Sequence, residues 1–282
     1  MCQWYNFCLP EAQEKDDLSL VPGINKKIKS ELLKIPIKNY AELAQCTPDD
    51  ISQIEELNGE KGRTIILQAK ALKEKKIYLK SMPQFLQENG EVFIDFESDL
   101  IFDEKGTELT RIDYLIGLLK NEKGKQDFKH LLLEDSEDQL LADFMAFLKE
   151  HMDCTFYHYG HYEQTIFTSK WETLPKVRLA NIEKIVKDSL IMPVTSYSLK
   201  NIAKVLGFKW KNTDANAMQS MCWYSSYLET KDRRFLDLSV QYNHDDCLAL
   251  YLIKEWLVSL REKEVPVETF INIEEIKMSG LV

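Results

Sequence analysis

Val92-Phe93-Ile94-Asp95-Phe96-Glu97 is the stretch that decides how this chain reads. Three apolar residues run straight into carboxylate, aromatic, carboxylate. A period of two predicts a strand and puts Asp95 and Glu97 on the same face of it. Carboxylates set against an apolar run are costly unless the strand emerges into water or something neutralises them. A hard divalent cation, bound through oxygen, is such a neutraliser. Taken alone, the pair leaves both outcomes open.

Two later motifs bear on the choice. Tyr159-Gly160-His161-Tyr162-Glu163 follows an apolar run, Cys154 to His158, that reads as a strand. Tyr242-Asn243-His244-Asp245-Asp246 sits in a helical pattern in which Val240, Cys247, Leu250, Ile253, Trp256 and Leu257 mark the inward side. Tyr242 and Asp246 are four apart and so share a face, while Asp245 points about 100° away. A tyrosine hydroxyl bonding a carboxylate at the helix surface fits that spacing as well as a site does. Two-metal phosphodiester chemistry requires carboxylates that converge from separate elements, with a group near the attacking water. Asp95, Glu97, Glu163 and Asp246 supply the carboxylates, and Tyr242 the neighbouring hydroxyl.

Composition sets the limits. The chain has 282 residues, 44% apolar, with 10 Gly and 8 Pro, which suits a globular protein with a substantial core. One domain of roughly 180–200 residues plus a smaller unit fits that length. The net charge of −10 argues against coating nucleic acid by bulk attraction. It leaves a nuclease possible, since acidic metal ligands count toward it while a local basic face does the steering. No run reaches the roughly 20 apolar residues of a membrane span. The N-terminus lacks a basic segment followed by an apolar one, so a cytoplasmic protein without a membrane partner is expected. The six cysteines form no disulfide framework, and Cys154, Cys222 and Cys247 lie in apolar stretches that predict buried thiols.

The chain divides near residue 80. Residues 1–80 read as a small all-α unit with a Pro22-Gly23 turn between short amphipathic helices. A second copy follows, with Ile51 to Leu57, a glycine turn at Asn58 to Arg63, and a helix from Thr64 to Lys76. Each turn leads Lys or Arg to a helix start, where unpaired N–H groups and the dipole favour phosphate. Residues 81–282 open with three strands, from Val92, Arg111 to Leu119 and Phe128 to Leu133, read as an antiparallel meander. A helix follows Ser136, then the strand at Cys154 to His158. Further helices are expected at Leu199 to Leu206, around 215–228, and from Arg233 to about Leu260. Leu174 to Ile185 gives no clear pattern. The order is α/β and fits a ribonuclease H-like mixed sheet flanked by helices.

Together the three acidic motifs resemble the DEDD exonuclease superfamily over roughly Glu91 to Leu260. Asp95 and Glu97 match its first motif, Tyr159 to Glu163 the second, and Tyr242 to Asp246 the third, in the subclass carrying Tyr. A closer likeness is to the YprB-like group of predicted ribonuclease H-like nucleases. Tyr157 to Glu163, Ser196-Tyr197-Ser198-Leu199-Lys200, Trp223 to Thr230 and Tyr242 to Cys247 carry it. The superfamily's second motif ends in Asp; here Glu163 stands, its extra methylene pushing the carboxylate outward by about 1.3 Å. The N-terminal unit resembles a helix-hairpin-helix, which binds DNA backbone without regard to sequence, and the likeness sets Lys26, Lys27, Lys29 and Arg63 near phosphates.

The resemblance implies a 3′ to 5′ exonuclease acting on single-stranded ends of DNA or RNA. Two Mg²⁺ or Mn²⁺ ions would sit on Asp95, Glu97, Glu163 and Asp246, with Tyr242 orienting water. Phe96, Tyr159 and Tyr162 are candidates for stacking the terminal base, or for the core. In larger relatives a RecB-like nuclease domain precedes the helical unit, with cysteines that bind an iron–sulfur cluster. Cys2 and Cys8 resemble the end of that array, and two cysteines cannot supply the four ligands of a cluster. The competing expectation is a non-catalytic nucleic-acid-binding module on a degenerate nuclease fold, kept open by Glu163.

Overall fold

A computed structural model describes residues 5–85, 90–102, 109–122, 124–134, 136–171, 173–213 and 215–272. In chain order the helices and strands are α1 (Tyr5–Glu14), α2 (Lys26–Leu32), α3 (Tyr40–Leu43), α4 (Glu60–Glu74), β1 (Lys76–Leu79), β2 (Glu91–Phe102), β3 (Leu109–Glu122), β4 (Lys125–Leu132), α5 (Glu137–Glu150), β5 (Thr155–His158) and α6 (Tyr162–Thr165). They continue with β6 (Arg178–Asn181), α7 (Ile182–Ser189), β7 (Leu190–Ile191), α8 (Leu199–Val205), α9 (Ala217–Thr230), α10 (Arg233–Glu262) and β8 (Thr269–Asn272). By their contacts these elements form two compact units. One joins the chain up to Pro83 with Ile185–Gly207 and the segment from Trp256 onward; the other joins Gln84–Lys184 with Phe208–Glu255.

The second unit is built on a mixed sheet in the order β4-β3-β2-β5-β6. β2, β3 and β4 form the expected antiparallel meander. β5 runs parallel to β2, and β6 parallel to β5. Residues 174–185, which carried no clear pattern, supply β6 and the start of α7. A four-residue edge strand running directly into a helix is too short to show a period of its own.

Alternation along β2 sends its residues to two different layers. Val92, Ile94 and Phe96 pack with Ile116, Leu118 and Leu131 onto Leu140, Phe144 and Phe147 of α5. Phe96 meets Phe144 edge-on at 5.5 Å, so Phe96 belongs to the core. On the other face Phe93 stacks on Tyr157 at 5.1 Å and meets Tyr251 of α10 edge-on at 5.4 Å. Asp95 and Glu97 share that α10 face. The helix lies very close to β3: a Cβ added to Gly117 would fall 1.9 Å from Asn243 Oδ1 and 3.0 Å from Cys247 Sγ. Only glycine admits α10 there.

In the other unit, a core of Leu18, Ile28, Leu32, Leu43, Ile51, Leu57, Ile65 and Ala69 holds the N-terminal helical region. Gly23, at φ +94°, makes the turn that precedes α2, and Asn25 Oδ1 caps α2 by accepting from Ile28 N at 2.9 Å. The second turn differs in detail from expectation. Residues 51–57 do not form one helix. Instead there are two 3₁₀ turns, Pro48–Ile51 and Glu55–Leu57, and α4 begins at Glu60. Thr47 and Asp50 form a capping box around Pro48, which closes the first turn tightly. β1 then pairs antiparallel with both β7 and β8 in a small sheet ordered β7-β1-β8. Its strands come from three distant stretches, of two to four residues each, so no local pattern marks them.

Cys154 and Cys247 are buried, as expected; Cys222 is exposed on α9 and corrects that expectation. α9 turns Ser220, Trp223 and Tyr224 inward, which puts Cys222 on the outer side of the helix. Cys8 is exposed, and Cys2 lies outside the described residues. No helix among the described residues is long and apolar enough to cross a membrane.

Candidate metal centre and active site

The site forms where β2 leaves the apolar layer. Asp95 and Glu97 project from one face of β2, and Asp246 comes down from α10. One carboxylate oxygen from each lies within 4.8 Å of the others. Directly after Glu97 the pairing of β2 with β3 shifts register, a bulge that bends the strand just past its second carboxylate.

The surrounding side chains hold these groups in place. Asn243 Nδ2 donates to Asp95 Oδ2 at 2.8 Å and to the Asp95 carbonyl at 3.1 Å. Trp210 Nε1 donates to Asp246 Oδ1 at 2.7 Å. The segment carrying Trp210 is itself anchored by Asp245, whose Oδ2 accepts from Lys211 N at 2.8 Å. Tyr242 is hydrogen-bonded to Asp246 through its hydroxyl. The (i, i+4) pair read from the sequence is real, and its carboxylate is buried in the cluster instead of lying at the helix surface.

Glu163 reaches the same neighbourhood from α6, and its charge is felt at Asp95. It is buried, stands outside the 4.8 Å trio, and among the described residues its Oε2 has no hydrogen-bond partner. The approach to α6 is pinned by Asn181 at the end of β6, whose Nδ2 donates to the Gly160 carbonyl at 2.6 Å. Gly160, at φ +93°, makes the turn.

Burial, and then the crowding of like charge, set the electrostatics of the site. Loss of hydration first, then the charges of Asp246, Glu97 and Glu163, push the Asp95 carboxyl well above its usual range; the Asn243 hydrogen bond opposes this. Burial and the nearby carboxylates raise the Tyr242 phenol in the same way. They also raise the thiol of Cys247, which lies beside the cluster. Three converging carboxylates, a fourth with an unpaired buried oxygen, and a surplus of negative charge fit a hard divalent cation held through oxygen.

The other candidate residues have varied surroundings. Tyr159 is half-buried in the turn before α6. Tyr162 donates its hydroxyl to Asp113, and Arg111 lies over its ring at 4.8 Å. In the helical unit Lys27 pairs with Glu56, and Lys29 with Asp17 at 2.6 Å. Lys26 and Arg63 are exposed, and among the described residues neither has an ion-pair partner.

Sequence reading missed Asn243, Trp210, Asn181 and His158. Asn243 could have been found: it lies three residues before Asp246, on the same side of the helix. Trp210 and Asn181 join the site only through folding, from segments with no acidic motif of their own, whereas His158 ends the strand that leads into the Glu163 motif.

A family model for the RNase_H superfamily matches residues 92–258. A search of curated proteins returned no match. The matched span covers more than half of the 282 residues and takes in all three acidic motifs. With its mixed five-stranded sheet and its carboxylates gathered on β2 and α10, the chain belongs to the RNase_H superfamily.

Proposed function

We propose that this protein is a metal-dependent nuclease of the YprB-like type, a 3′ to 5′ exonuclease that hydrolyses single-stranded ends of DNA or RNA in the cytoplasm. The observation that carries this reading is the meeting of Asp95, Glu97 and Asp246 within 4.8 Å. These three, with Glu163, are the ligands. Bound there, two Mg²⁺ or Mn²⁺ ions supply Lewis acidity and charge neutralisation for in-line displacement at phosphorus.

The chain's own groups do the positioning. Asn243 holds Asp95 by its amide, and Trp210 holds one oxygen of Asp246, so neither carboxylate has to be ordered during the reaction. The raised phenol of Tyr242 stays protonated, so its hydroxyl orients the attacking water by hydrogen bonding and does not take its proton. The helical unit acts as a helix-hairpin-helix, with exposed Lys26 and Arg63 meeting phosphates first. Lys27 and Lys29 join them by exchanging their acidic partners for phosphate.

The test incubates the protein with end-labelled single- and double-stranded DNA and RNA in Mn²⁺, beside Asp95→Ala. The expected result is a ladder growing from the 3′ end of the single strands, lost in Asp95→Ala. Equal cleavage by the variant would remove Asp95 from the chemistry. The position of Glu163 outside the trio favours a second reading, a nucleic-acid-binding module without catalysis. Binding in EDTA with no cleavage in Mn²⁺ would select it.

A further inference from the structure

We propose that His158 is the positioning residue of Glu163: its Nδ1–H donates to Oε2 and leaves the other carboxylate oxygen to the Asp95–Glu97–Asp246 cluster. This inference rests on the metal-site reading above and deepens it.

Two observations carry it. His158 Nδ1 and Glu163 Oε2 are both buried, and among the described residues neither has a hydrogen-bond partner. They lie 3.7 Å apart, with the side chains 2% and 6% exposed. A donor and an acceptor buried without partners are each costly, and here each faces the other. A shift of about 1 Å at most brings them to the about 2.7–2.9 Å of a charge-assisted hydrogen bond.

The surroundings leave only the carboxylate orientation unset. His158 is the last residue of β5, gripped by β6 in the register His158↔Asn181. Asn181 brackets Gly160 through both its amide atoms, at 2.6 and 3.4 Å. Beyond the turn, Tyr162 is tied to Asp113. The backbone on either side of Glu163 is therefore fixed, while its longer side chain has one more torsion than an aspartate. That torsion is what a second hydrogen bond must settle, and His158 is placed to make it. In metal sites such supporting partners of a ligand typically account for about 10–100-fold in affinity.

Isosteric substitutions separate this role from packing. An asparagine amide nitrogen falls near the position of Nδ1, whereas a glutamine amide falls near Nε2. We expect His158→Leu and His158→Gln to weaken Mn²⁺ binding to the nucleic-acid-free protein by about 10-fold or more, measured by titration calorimetry. His158→Asn should bind close to wild type, and in a Glu163→Gln background His158→Leu should cost nothing further. If Leu, Gln and Asn variants all match wild type, or all weaken equally, the positioning role is overturned while the metal site stands. If wild-type protein itself takes up no Mn²⁺ that depends on Asp95, the metal reading fails and this inference with it. Should His158→Leu not fold, the contrast between Asn and Gln still decides.

Discussion

Asp17 in the helical unit and Asp95 in the sheet unit are the same side chain displaced in opposite directions. Burial pushes Asp17 up, but hydrogen bonds from Lys29 and Ser19 outweigh it and hold the carboxyl down at about 2. Asp95 also loses hydration, but its charged neighbours are Asp246, Glu97 and Glu163, and its carboxyl is raised well above 3.8. A carboxylate paired within its own unit is complete as folded. One crowded by others is neutralised only by keeping a proton or by taking up a cation, and strongly perturbed groups gathered in this way mark candidate functional sites. The same contrast holds for two glycines. A Cβ on Gly62 would lie 2.1 Å from the Leu57 carbonyl and disturb only packing; on Gly117 it would strike Asn243, which holds Asp95.

Four experiments break or sharpen this contrast, taken from the largest expected effect downward. Tyr242→Phe should lower the cleavage rate in Mn²⁺ by about 10²-fold or more, with metal affinity nearly unchanged. An unchanged rate would assign the hydroxyl to packing against Asp246. Gly117→Ala should cost about 1–3 kcal/mol of stability, because the methyl group meets Asn243 Oδ1 and cannot be accommodated without moving α10. Denaturant unfolding measures this, and a cost near zero would mean that α10 shifts freely over β3.

The third experiment compares the two aspartates directly, in metal-free protein. The folded Asp95 carboxyl lies above its unfolded value, so its contribution to stability is present below pH 3.8 and is lost as pH rises through the raised value. Asp95→Asn should therefore raise Tm at pH 7 and not near pH 4, on a scale of about 2–4 °C per kcal/mol. Asp17 has the opposite sign. Its contribution is present above pH 3.8 and disappears as pH falls toward 2, so Asp17→Asn should lower Tm at pH 7. A fall in Tm for both variants at neutral pH would mean that the site carboxylates are as well compensated as the surface ones. The smallest effect is expected for Lys27→Ala. It removes an exposed, solvent-screened pair with Glu56 and should leave Tm in thermal melts close to that of the wild type.

Much of this molecule could be read without coordinates. Alternation in Val92 to Glu97 marked the strand and the shared face of its two carboxylates. The (i, i+4) spacing of Tyr242 and Asp246 marked the helix face, and the meander, α5, β5 and α10 followed from period alone. The unread parts were short segments. β1, β7 and β8 have two to four residues each and become strands only by pairing with one another. Cys222 was misjudged because an apolar neighbourhood in sequence does not say which side of a helix a residue occupies.

The supporting residues of the site define the boundary between the two kinds of information. Local sequence determined which residues carry the charge: Asp95, Glu97, Glu163 and Asp246 stand in acidic motifs, and periodicity sets the direction of Asp95, Glu97 and Asp246 relative to their own elements. Tertiary structure alone decided that β2 and α10 bring three of them within 4.8 Å, and that Gly117 opens the space for it. It alone recruited Trp210 and Asn181. Periodicity is a property of a few neighbouring residues, whereas convergence depends on the packing of segments far apart in the chain, and no short stretch of sequence encodes that.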